Sequence, residues 1–445
     1  MKKVYLETFG CQMNVSDSER VATLLENKGF EMTPHEQSAD VILFNTCSVR
    51  EKAEHKLYTR VGQIRNSEQP KPIIGVMGCV AQLEGEILFQ NDRGIDFVVG
   101  TKAVGRIHEA IEKAAQKKEK KHIDLGEREE NYDWSVSEKQ RYSPYIAFVP
   151  IIEGCNKFCT YCIVPFSRGR EKSLPASEII RHVLELRRKG IKEVHLIGQN
   201  VNSYRPQTES GLEQFSGATY FSRLLRAVAT TGIERIKFAT SFPRDFHPDI
   251  VKAIDEHENL CNWVHLPVQS GSNKILKAMR RGHTIENYMK RIDTIRDSQR
   301  GIALTTDIIV GFPGETIEDF EATKSLIQYC QYDGAYIFRY SVRNGTPSSK
   351  SNDDVPFIEK TRRFLELEKL QKTLQKNSLA KCVDKTLEVL VERQSVKNKD
   401  EITGHTRCHR VVNFKGDSDL LGKLINVKIT ESKNNTLYGI IHKIS

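Results

Sequence analysis

The chain has 445 residues, a length typical of about three domains rather than one. Hydrophobic residues make up 38% and charged residues 28%, which is the composition of a globular protein that buries a sizeable core. No run approaches the roughly 18 apolar residues of a membrane span, and a charge at Lys2 precedes any signal-like segment. We therefore expect a cytoplasmic protein whose ten cysteines are ligands or buried thiols rather than disulfides.

The net charge of +9 is concentrated towards the C-terminus. Residues 376–445 contain 13 basic and 8 acidic side chains, which places +5 of the +9 in this segment. A small basic module on a nearly neutral body predicts contact with a polyanion such as a nucleic acid. An ordinary solvated surface is the alternative.

The first ~110 residues alternate short apolar runs with helical patterns. Buried strands are predicted at residues 4–6, 41–44 and 73–77. A capping box at residues 16–19 predicts the start of a helix that ends at Gly29. This βαβ pattern predicts an α/β domain with a parallel sheet over residues 1–116.

A charged segment follows at residues 117–140, and Lys117, Lys118, Lys120 and Lys121 lie close together in it. We expect a solvated linker here, with a nucleic-acid contact as the alternative.

A second βα series predicts a partial (β/α)6 barrel within residues 141–374. Its strands are predicted at residues 146–152, 193–197, 235–240, 263–268, 303–310 and 335–341. Its helices are predicted at residues 177–189, 220–230, 248–256, 273–279, 285–300 and 316–329. Because active sites in such folds lie at the carboxyl ends of the strands, the polar residues there are candidates for a site. These are Gly198, Gln199, Asn200, Ser241, Gln269 and Ser270.

The last segment, residues 375–445, changes to strand-like alternation. Leu387, Val389 and Val391 alternate, as do Val427 and Ile429, with glycines between the runs. We predict a small β-barrel similar to the OB fold, an architecture that commonly binds nucleic acid.

Three cysteines, Cys155, Cys159 and Cys162, form a C-x3-C-x2-C run after the first strand of the central domain. Three thiolates on one tight loop can bind three irons of a [4Fe–4S] cluster and leave the fourth iron open to a small molecule. A zinc site would need a fourth ligand, and no Cys or His lies at short spacing.

A second cysteine set, Cys11, Cys47 and Cys79, is spread along the chain. Each cysteine lies a few residues beyond a predicted parallel strand. Since the carboxyl ends of such strands meet at one edge of the sheet, we predict a shared metal site, with buried structural thiols as the alternative. The other four cysteines, Cys261, Cys330, Cys382 and Cys408, have no ligand spacing and are predicted to be ordinary packed residues.

The cysteine loop resembles that of the radical S-adenosylmethionine (SAM) superfamily. The segments Gly10-Cys-Gln-Met-Asn14, Asn45-Thr-Cys47 and Gly78-Cys79 resemble the N-terminal domain of the methylthiotransferase family, and the tail is similar to a TRAM domain. The motifs Ser48-Val-Arg-Glu-Lys52 and Val164-Pro-Phe-Ser-Arg-Gly-Arg-Glu171 are similar to the family branch that acts on N6-isopentenyl(dimethylallyl)adenosine in tRNA.

The resemblance implies two [4Fe–4S] clusters, one on each cysteine set. The cluster on Cys155, Cys159 and Cys162 would chelate SAM and yield a 5′-deoxyadenosyl radical that attacks C2 of adenine 37, beside the anticodon. The auxiliary cluster would supply the sulfur, which a second SAM methylates. Gly198, Gln199, Asn200, Ser241, Gln269, Ser270 and Arg343 are expected around SAM.

The tail would bind tRNA, and an electron donor such as flavodoxin or ferredoxin and a sulfur source would complete the system. We expect a monomer. Two alternatives remain: a paralogue acting on threonylcarbamoyladenosine or on a ribosomal-protein aspartate, and a non-catalytic iron–sulfur RNA-binding sensor.

Overall fold

The computed structural model describes residues 2–48, 51–67, 71–91, 94–116, 121–127, 135–395 and 398–442. Three lysines of the predicted linker (Lys117, Lys118 and Lys120) and two residues of the Ser48–Lys52 motif (Val49 and Arg50) lie outside this description. The chain divides into two compact units. The first extends as far as Tyr142 and adds Glu153–Asn156 and Cys162–Glu171, and the second contains the remainder.

The first unit is built on a parallel sheet of six strands in the order β2-β1-β3-β4-β5-β6. The strands are β1 (Lys3–Phe9), β2 (Glu31–Met32), β3 (Val41–Thr46), β4 (Ile73–Gly78), β5 (Phe97–Gly100) and β6 (His122–Asp124). The helices are α1 (Gln12–Asn27), α2 (Glu51–Arg65), α3 (Cys79–Glu84), α4 (Ile87–Asn91), α5 (Ile107–Ala115) and α6 (Val164–Arg168). The predicted parallel α/β domain is confirmed.

Helices cover both faces of this sheet. On one face Val21 and Leu25 of α1 pack with Leu43 of β3, and on the other Leu57 and Val61 of α2 belong to the second core. Strand β3 is therefore buried along its whole length and is apolar from Val41 to Phe44, as is typical of parallel sheets that are buried on both sides, while the polar Asn45 and Thr46 stand at its carboxyl end.

The predicted start of the first helix at residues 16–19 is wrong. Helix α1 begins at Gln12, because Cys11 is its N-cap and Asn14 completes a capping box with it. The predicted strand at residues 4–6 is also longer in the structure and ends just before Gly10. A tight strand-to-helix turn therefore places Cys11 at the carboxyl edge of the sheet.

The second unit contains a partial barrel of six parallel strands, as predicted. Two three-stranded sheets, β11-β10-β7 and β12-β13-β14, are joined by a parallel bridge between Ile236 and Leu260. The six barrel strands are β7 (Ile146–Pro150), β10 (Glu193–Ile197), β11 (Arg235–Phe238), β12 (Trp263–His265), β13 (Ala303–Val310) and β14 (Gly334–Arg339). The short strands β8 (Ile152–Glu153) and β9 (Lys172–Ser173) pair in a separate two-stranded sheet. The helices are α7 (Ala176–Arg188), α8 (Tyr220–Ala229), α9 (Pro248–Glu256), α10 (Asn273–Ala278), α11 (Ile285–Arg296), α12 (Ile317–Cys330) and α13 (Phe357–Ala380).

Alternate residues of each barrel strand pack against the surrounding helices. On β13 these are Leu304 and Ile308, which belong to the main core, whereas Asp307 and Ile309 are only partly buried. We call the side turned away from the helices the inner face.

The C-terminal strands close into a small barrel in the order β15-β16-β17-β19-β18, as the alternation predicts. They are β15 (Thr386–Gln394), β16 (Glu401–Thr406), β17 (Val411–Lys415), β18 (Leu424–Lys433) and β19 (Thr436–Ile441). Along the described residues, no helix combines the length and the hydrophobicity needed to cross a membrane.

Candidate active site

The structure brings the three dispersed cysteines of the first unit together. Cys11 follows β1, Cys47 follows β3 and Cys79 follows β4, at the carboxyl ends of three neighbouring strands. The Cys11 and Cys47 side chains are hydrogen-bonded to each other. Burial raises the pKa of Cys79, and the nearby Cys11 adds to this effect.

Two of these thiols sit at helix N-termini. Cys11 is the N-cap of α1 and Cys79 is the first residue of α3. The hydrogen bond with Cys47 lowers the pKa of Cys11 to about 6, with burial opposing it and the Arg168 charge assisting. A helix N-terminus and a lowered pKa favour the thiolate of Cys11, which is the form that binds metal, whereas burial opposes the thiolate of Cys79.

A network of two buried amides fixes the cysteine turns. Asn14 Oδ1 accepts hydrogen bonds from the backbone N–H and from Sγ of Cys11, both at 3.3 Å. Asn14 Nδ2 donates to Asn45 Oδ1 at 3.0 Å, and Asn45 Nδ2 donates back to the Asn14 carbonyl at 2.8 Å. The amide of Asn14 also reaches the Thr46 carbonyl at 3.3 Å, next to Cys47. The network therefore couples the turns that carry Cys11 and Cys47.

The glycines before two of these cysteines leave room for the amides. A Cβ on Gly10 would lie 2.5 Å from Asn14 Oδ1, and one on Gly78 would lie 2.3 Å from Asn45 Oδ1. Gly78 also has φ +95°, a conformation that L-residues rarely adopt. Close packing against these amides thus explains why glycine precedes Cys11 and Cys79 in the sequence.

Arg168 is a site residue that the sequence reasoning missed. It belongs to α6 in the first unit and is 6% exposed. Its guanidinium lies 2.6 Å from Asp17 and 3.5 Å from Glu153, and it hydrogen-bonds the Cys79 side chain. A buried cation therefore lies close to the Cys11 and Cys79 thiols. The signal in the sequence was its place in the motif Val164–Glu171, six residues after Cys162.

The C-x3-C-x2-C loop is held by backbone contacts on both sides. Gly154 has φ +79°, and a Cβ there would lie 2.2 Å from the Arg170 carbonyl. The Cys155 N–H donates to the Gly169 carbonyl at 3.1 Å. In the second unit, the Thr160 N–H donates to the Met279 carbonyl at 3.1 Å. One eight-residue loop carries all three thiols.

Two further cations that the sequence reasoning missed lie near Cys159. Arg281, which is 5% exposed, donates from Nη1 to Cys159 Sγ at 3.4 Å, and its guanidinium lies 4.5 Å from the centre of the Phe242 ring. Lys157 Nζ is 2.6 Å from Asp245 and 5.3 Å from the same ring. These cations suit an anionic thiolate centre.

Backbone strain marks the ends of β11 and β12. Thr240 has φ +69° and Gln269 has φ +77°, although both are ordinary L-residues and Thr240 is β-branched. Such conformations cost about 1–3 kcal/mol each and cluster at functional sites. Next to Thr240, Ser241 is 2% exposed, and among the described residues its hydroxyl oxygen has no hydrogen-bond partner. A polar ligand at this edge would satisfy it.

The other candidate residues occupy more varied positions. A Cβ on Gly198 would lie 2.4 Å from Ile152, so this glycine permits close packing at the end of β10. Ser270 is fully buried and accepts a hydrogen bond from the Ser272 N–H at 3.2 Å, which is a structural role. Three further candidates follow strand ends but differ in burial. Asn200 is buried, whereas Gln199 and Arg343 are partly exposed.

A separate ionic cluster joins the partial barrel to the small C-terminal barrel. Glu193 of β10 contacts His405 Nε2 of β16 at 2.9 Å and Arg235 Nη1 of β11 at 3.7 Å. Arg235 is fully buried and also donates to the Glu388 side chain at 2.9 Å and to the His405 carbonyl at 2.9 Å. The side-chain ligand atoms of Glu193, His405 and His409 lie within 4.8 Å of one another. Because Arg235 and His405 neutralise Glu193, we interpret the cluster as an ion-pair network.

The remaining cysteines have the environment of packed thiols. Burial raises the pKa of Cys261 to about 12 and that of Cys330 to about 11, which disfavours the thiolate. Cys382 is buried and Cys408 partly buried.

Three family descriptions match successive parts of the chain. Residues 3–100 match "Uncharacterized protein family UPF0004", residues 149–327 match the "Radical SAM superfamily" and residues 380–441 match the "TRAM domain". Together they cover both cysteine sets and the C-terminal barrel.

Curated relatives align over almost the whole chain. A protein from Carboxydothermus hydrogenoformans is 41% identical over 99% of this chain and 99% of its own length. A protein from Clostridium tetani is 42% identical over 98% of this chain and 95% of its own. Both are called tRNA-2-methylthio-N(6)-dimethylallyladenosine synthase.

A solved structure has a similar fold at low sequence identity. The radical S-adenosylmethionine methyltransferase TsrM from Kitasatospora setae, solved with cobalamin and a [4Fe-4S] cluster bound, aligns with a TM-score of 0.56 and 14% identity. The alignment covers 78% of this chain and 77% of that one. At this identity the likeness shows the fold of a radical SAM domain.

Proposed function

The chain belongs to the family of tRNA-2-methylthio-N(6)-dimethylallyladenosine synthases, radical SAM enzymes that use an iron–sulfur centre, and from this membership we propose how its residues divide the reaction. The product carries a methylthio group on C2 of N6-isopentenyladenosine at tRNA position 37. We assign one [4Fe–4S] cluster to Cys155, Cys159 and Cys162, and a second to Cys11, Cys47 and Cys79.

The convergence of Cys11, Cys47 and Cys79 at one sheet edge is the observation that carries the two-cluster assignment. Three thiols at one edge, two of them at helix N-termini, suit a cluster with an open iron. Arg168 supplies positive charge beside the anionic ligands, and the Asn14–Asn45 pair orients two of the turns.

In the second unit, the strained strand ends and the cation beside Cys159 suit a site for SAM. When bound, the cluster and SAM supply the radical that activates the inert C2–H bond. Ser241 and Gln269 would hold polar groups of SAM, with Gly198, Gln199, Asn200, Ser270 and Arg343 around them. Ser241 brings an unsatisfied buried hydroxyl to this role.

Each segment of the chain would contribute a different part of the reaction. Residues 1–116 would present the auxiliary cluster, and the segment 117–140, predicted as a linker, also contributes β6 to the sheet of the first unit. Residues 141–374 would perform the radical chemistry, and 375–445 would bind tRNA through phosphates with salt-sensitive affinity. A cytoplasmic monomer served by flavodoxin or ferredoxin and by a separate sulfur source completes the proposal.

The test uses Cys→Ala variants of the anaerobically reconstituted full chain. Wild-type protein should contain about eight irons, and each variant should lose about four. Cys11→Ala should still cleave SAM to 5′-deoxyadenosine but should not methylthiolate tRNA. Cys159→Ala should do neither. The readouts are iron and sulfide analysis and mass spectrometry of nucleosides.

Cys261→Ala is the matched control, since Cys261 is also buried but lies in neither set. It should keep both clusters and both activities. Full methylthiolation by Cys11→Ala would overturn the auxiliary cluster, and survival of the methylthio-isopentenyl nucleoside in a deletion strain would overturn the substrate assignment.

A further inference from the structure

Two aromatic side chains are exposed side by side on the inner face of the partial barrel. Tyr336 is 60% exposed and Phe338 is 47% exposed, and they lie two residues apart on β14. The intervening Ile337 and the preceding Ala335 pack against the main core. Because side chains alternate along a strand, Tyr336 and Phe338 point to the inner face.

The neighbouring strand adds one polar and one apolar residue to this surface. In the register of β13 with β14, Asp307 pairs with Tyr336 and Ile309 pairs with Phe338. Registered residues of parallel strands point to the same side of the sheet, so these four side chains form one surface, which we call the aromatic wall.

His265 of β12 holds the carboxylate of the aromatic wall in place. Its Nε2 lies 3.4 Å from Asp307 Oδ2, and its Nδ1 lies 3.0 Å from Thr305 Oγ1. The imidazole is stacked on Trp263, with ring centres 5.9 Å apart, and meets the edge of Tyr336 at 6.0 Å. His265 is a positioning residue because it fixes both Asp307 and the tyrosine.

We propose that the aromatic wall is the subsite for the N6-alkylated adenine ring of the RNA substrate, an inference that rests on the proposed function. Tyr336 would stack on the base, since exposed aromatic rings bind unstacked bases in this way. Ile309 and Phe338 would contact the apolar isopentenyl group.

The polar residue of the aromatic wall gives base selectivity. The Asp307 carboxylate accepts the remaining N6–H of the alkylated adenine, whereas a purine with a carbonyl at C6 would place an acceptor against it. A buried acceptor without a donor is unfavourable, so such bases are rejected. Phe338 lies near the carboxyl end of β14, at the same edge as Ser241 and Gln269.

The test measures binding of anticodon stem–loops that carry adenosine or N6-isopentenyladenosine at position 37 to the full-length reconstituted chain. Wild-type protein should bind the alkylated loop more tightly. Phe338→Ala should bring the ratio of the two dissociation constants close to 1, and Tyr336→Leu should weaken both by about tenfold.

Phe357→Ala is the control, because Phe357 is 70% exposed and lies at the start of α13, outside the aromatic wall. It should leave both affinities unchanged. Iron content and SAM cleavage are measured on every variant. If the wild-type protein neither binds iron nor cleaves SAM, the proposed function fails. If it does both, and the folded variants of the aromatic wall keep the wild-type ratio of the two dissociation constants, only the subsite is overturned.

Photocrosslinking of the wild-type chain gives a second measurement that needs no variant. A stem–loop with 8-azidoadenosine at position 37 should attach to peptides that contain β12, β13 or β14. Attachment confined to other peptides would overturn the subsite.

Discussion

At the scale of single residues, the positions of Cys11 and Cys47 depend on the amide of Asn14. Its two polar atoms contact Cys11, Asn45 and Thr46, and its side chain is fully buried. The contact with Cys11 is local, and both residues belong to the motif Gly10–Asn14, whereas Asn45 and Thr46 lie 31 and 32 positions further along the chain. The cysteines could be predicted from the strands that they follow, and Asn14 and Asn45 lie in the motifs around them, but the pairing of the two amides depends on the fold.

Asn14→Ala should therefore damage one cluster and spare the other. Loss of the amide removes the donor to the buried Asn45 Oδ1 and the contacts with Cys11, at a cost of about 2 kcal/mol in the free energy of unfolding. We expect about four irons per chain instead of about eight, with SAM cleavage retained. Iron analysis and urea denaturation provide the measurements.

Asn66→Ala serves as the comparison, since Asn66 lies in the same unit but on its surface. Equal iron loss in both variants, or none in Asn14→Ala, would contradict the role of the amide.

At the scale of elements, the predicted and observed bounds of strands and helices agree best where packing alone decides the structure. Strands β10 and β13 and helix α9 have the predicted bounds. Helix α11 was predicted to reach residue 300 but ends at Arg296. The reason is tertiary: the guanidinium of Arg300 donates to the carbonyls of Ile254 at 2.7 Å and Leu260 at 2.8 Å, which draws it out of the helix.

Tertiary contacts also explain why the charged residues near the thiols were not predicted from the sequence. Lys157 lies within the cysteine loop and Arg168 within the motif Val164–Glu171, whereas Arg281 is more than 100 residues from Cys159 in sequence. The fold brings Arg168 to Cys79 and Arg281 to Cys159, and it pairs Lys157 with Asp245. A charged side chain has to be solvated or paired, but the identity of its partner depends on topology.

Strand β16 contributes a pH-dependent contact to the ionic cluster. Although burial lowers the pKa of His405, the charge of Glu193 and hydrogen bonds to Glu193 and Glu392 raise it to about 9. Since the pKa in the unfolded chain is about 6.5, the cation stabilises the fold fully below that pH. The stabilisation is lost as the pH rises through 9.

Comparison with His405→Gln isolates this effect. The difference in unfolding free energy between the wild type and the variant should decrease by about 3 kcal/mol between pH 6 and pH 9.5. Lys237, whose pKa is lowered by burial to about 8, is present in both proteins, so its titration largely cancels in the difference. The charge of His405 contributes to the lowered pKa values of His195 and His409, so these two values rise in the variant. Urea denaturation across the pH range measures it, with the exposed His442→Gln as control. A difference independent of pH would refute the assignment of the charge to His405.

At the scale of the whole molecule, the C-terminal barrel is more than a basic attachment. Its charge pattern predicted a module that binds a polyanion, yet the barrel and the central strands belong to one compact unit. Arg235 and Glu193 lie on the inner face of the central strands and obtain their partners Glu388 and His405 from the barrel. Without the barrel, Arg235 and Glu193 would lose Glu388 and His405, and Glu193 would keep Arg235 and His195 as its partners in the central strands.

Because they share the ionic cluster, the C-terminal barrel and the central strands should unfold cooperatively. Arg235→Met removes the buried cation and leaves Glu193 and Glu388 less compensated, which should cost about 3–5 kcal/mol in the free energy of unfolding. The loss should lower the transition of the second unit as a whole, because the barrel and the central strands share the network. Arg393→Met, an exposed arginine of β15, should change it by less than about 0.5 kcal/mol. Hydrogen exchange follows the unfolding of each part. If the barrel unfolds separately in Arg235→Met while the central strands keep their stability, the two parts are joined only by the chain.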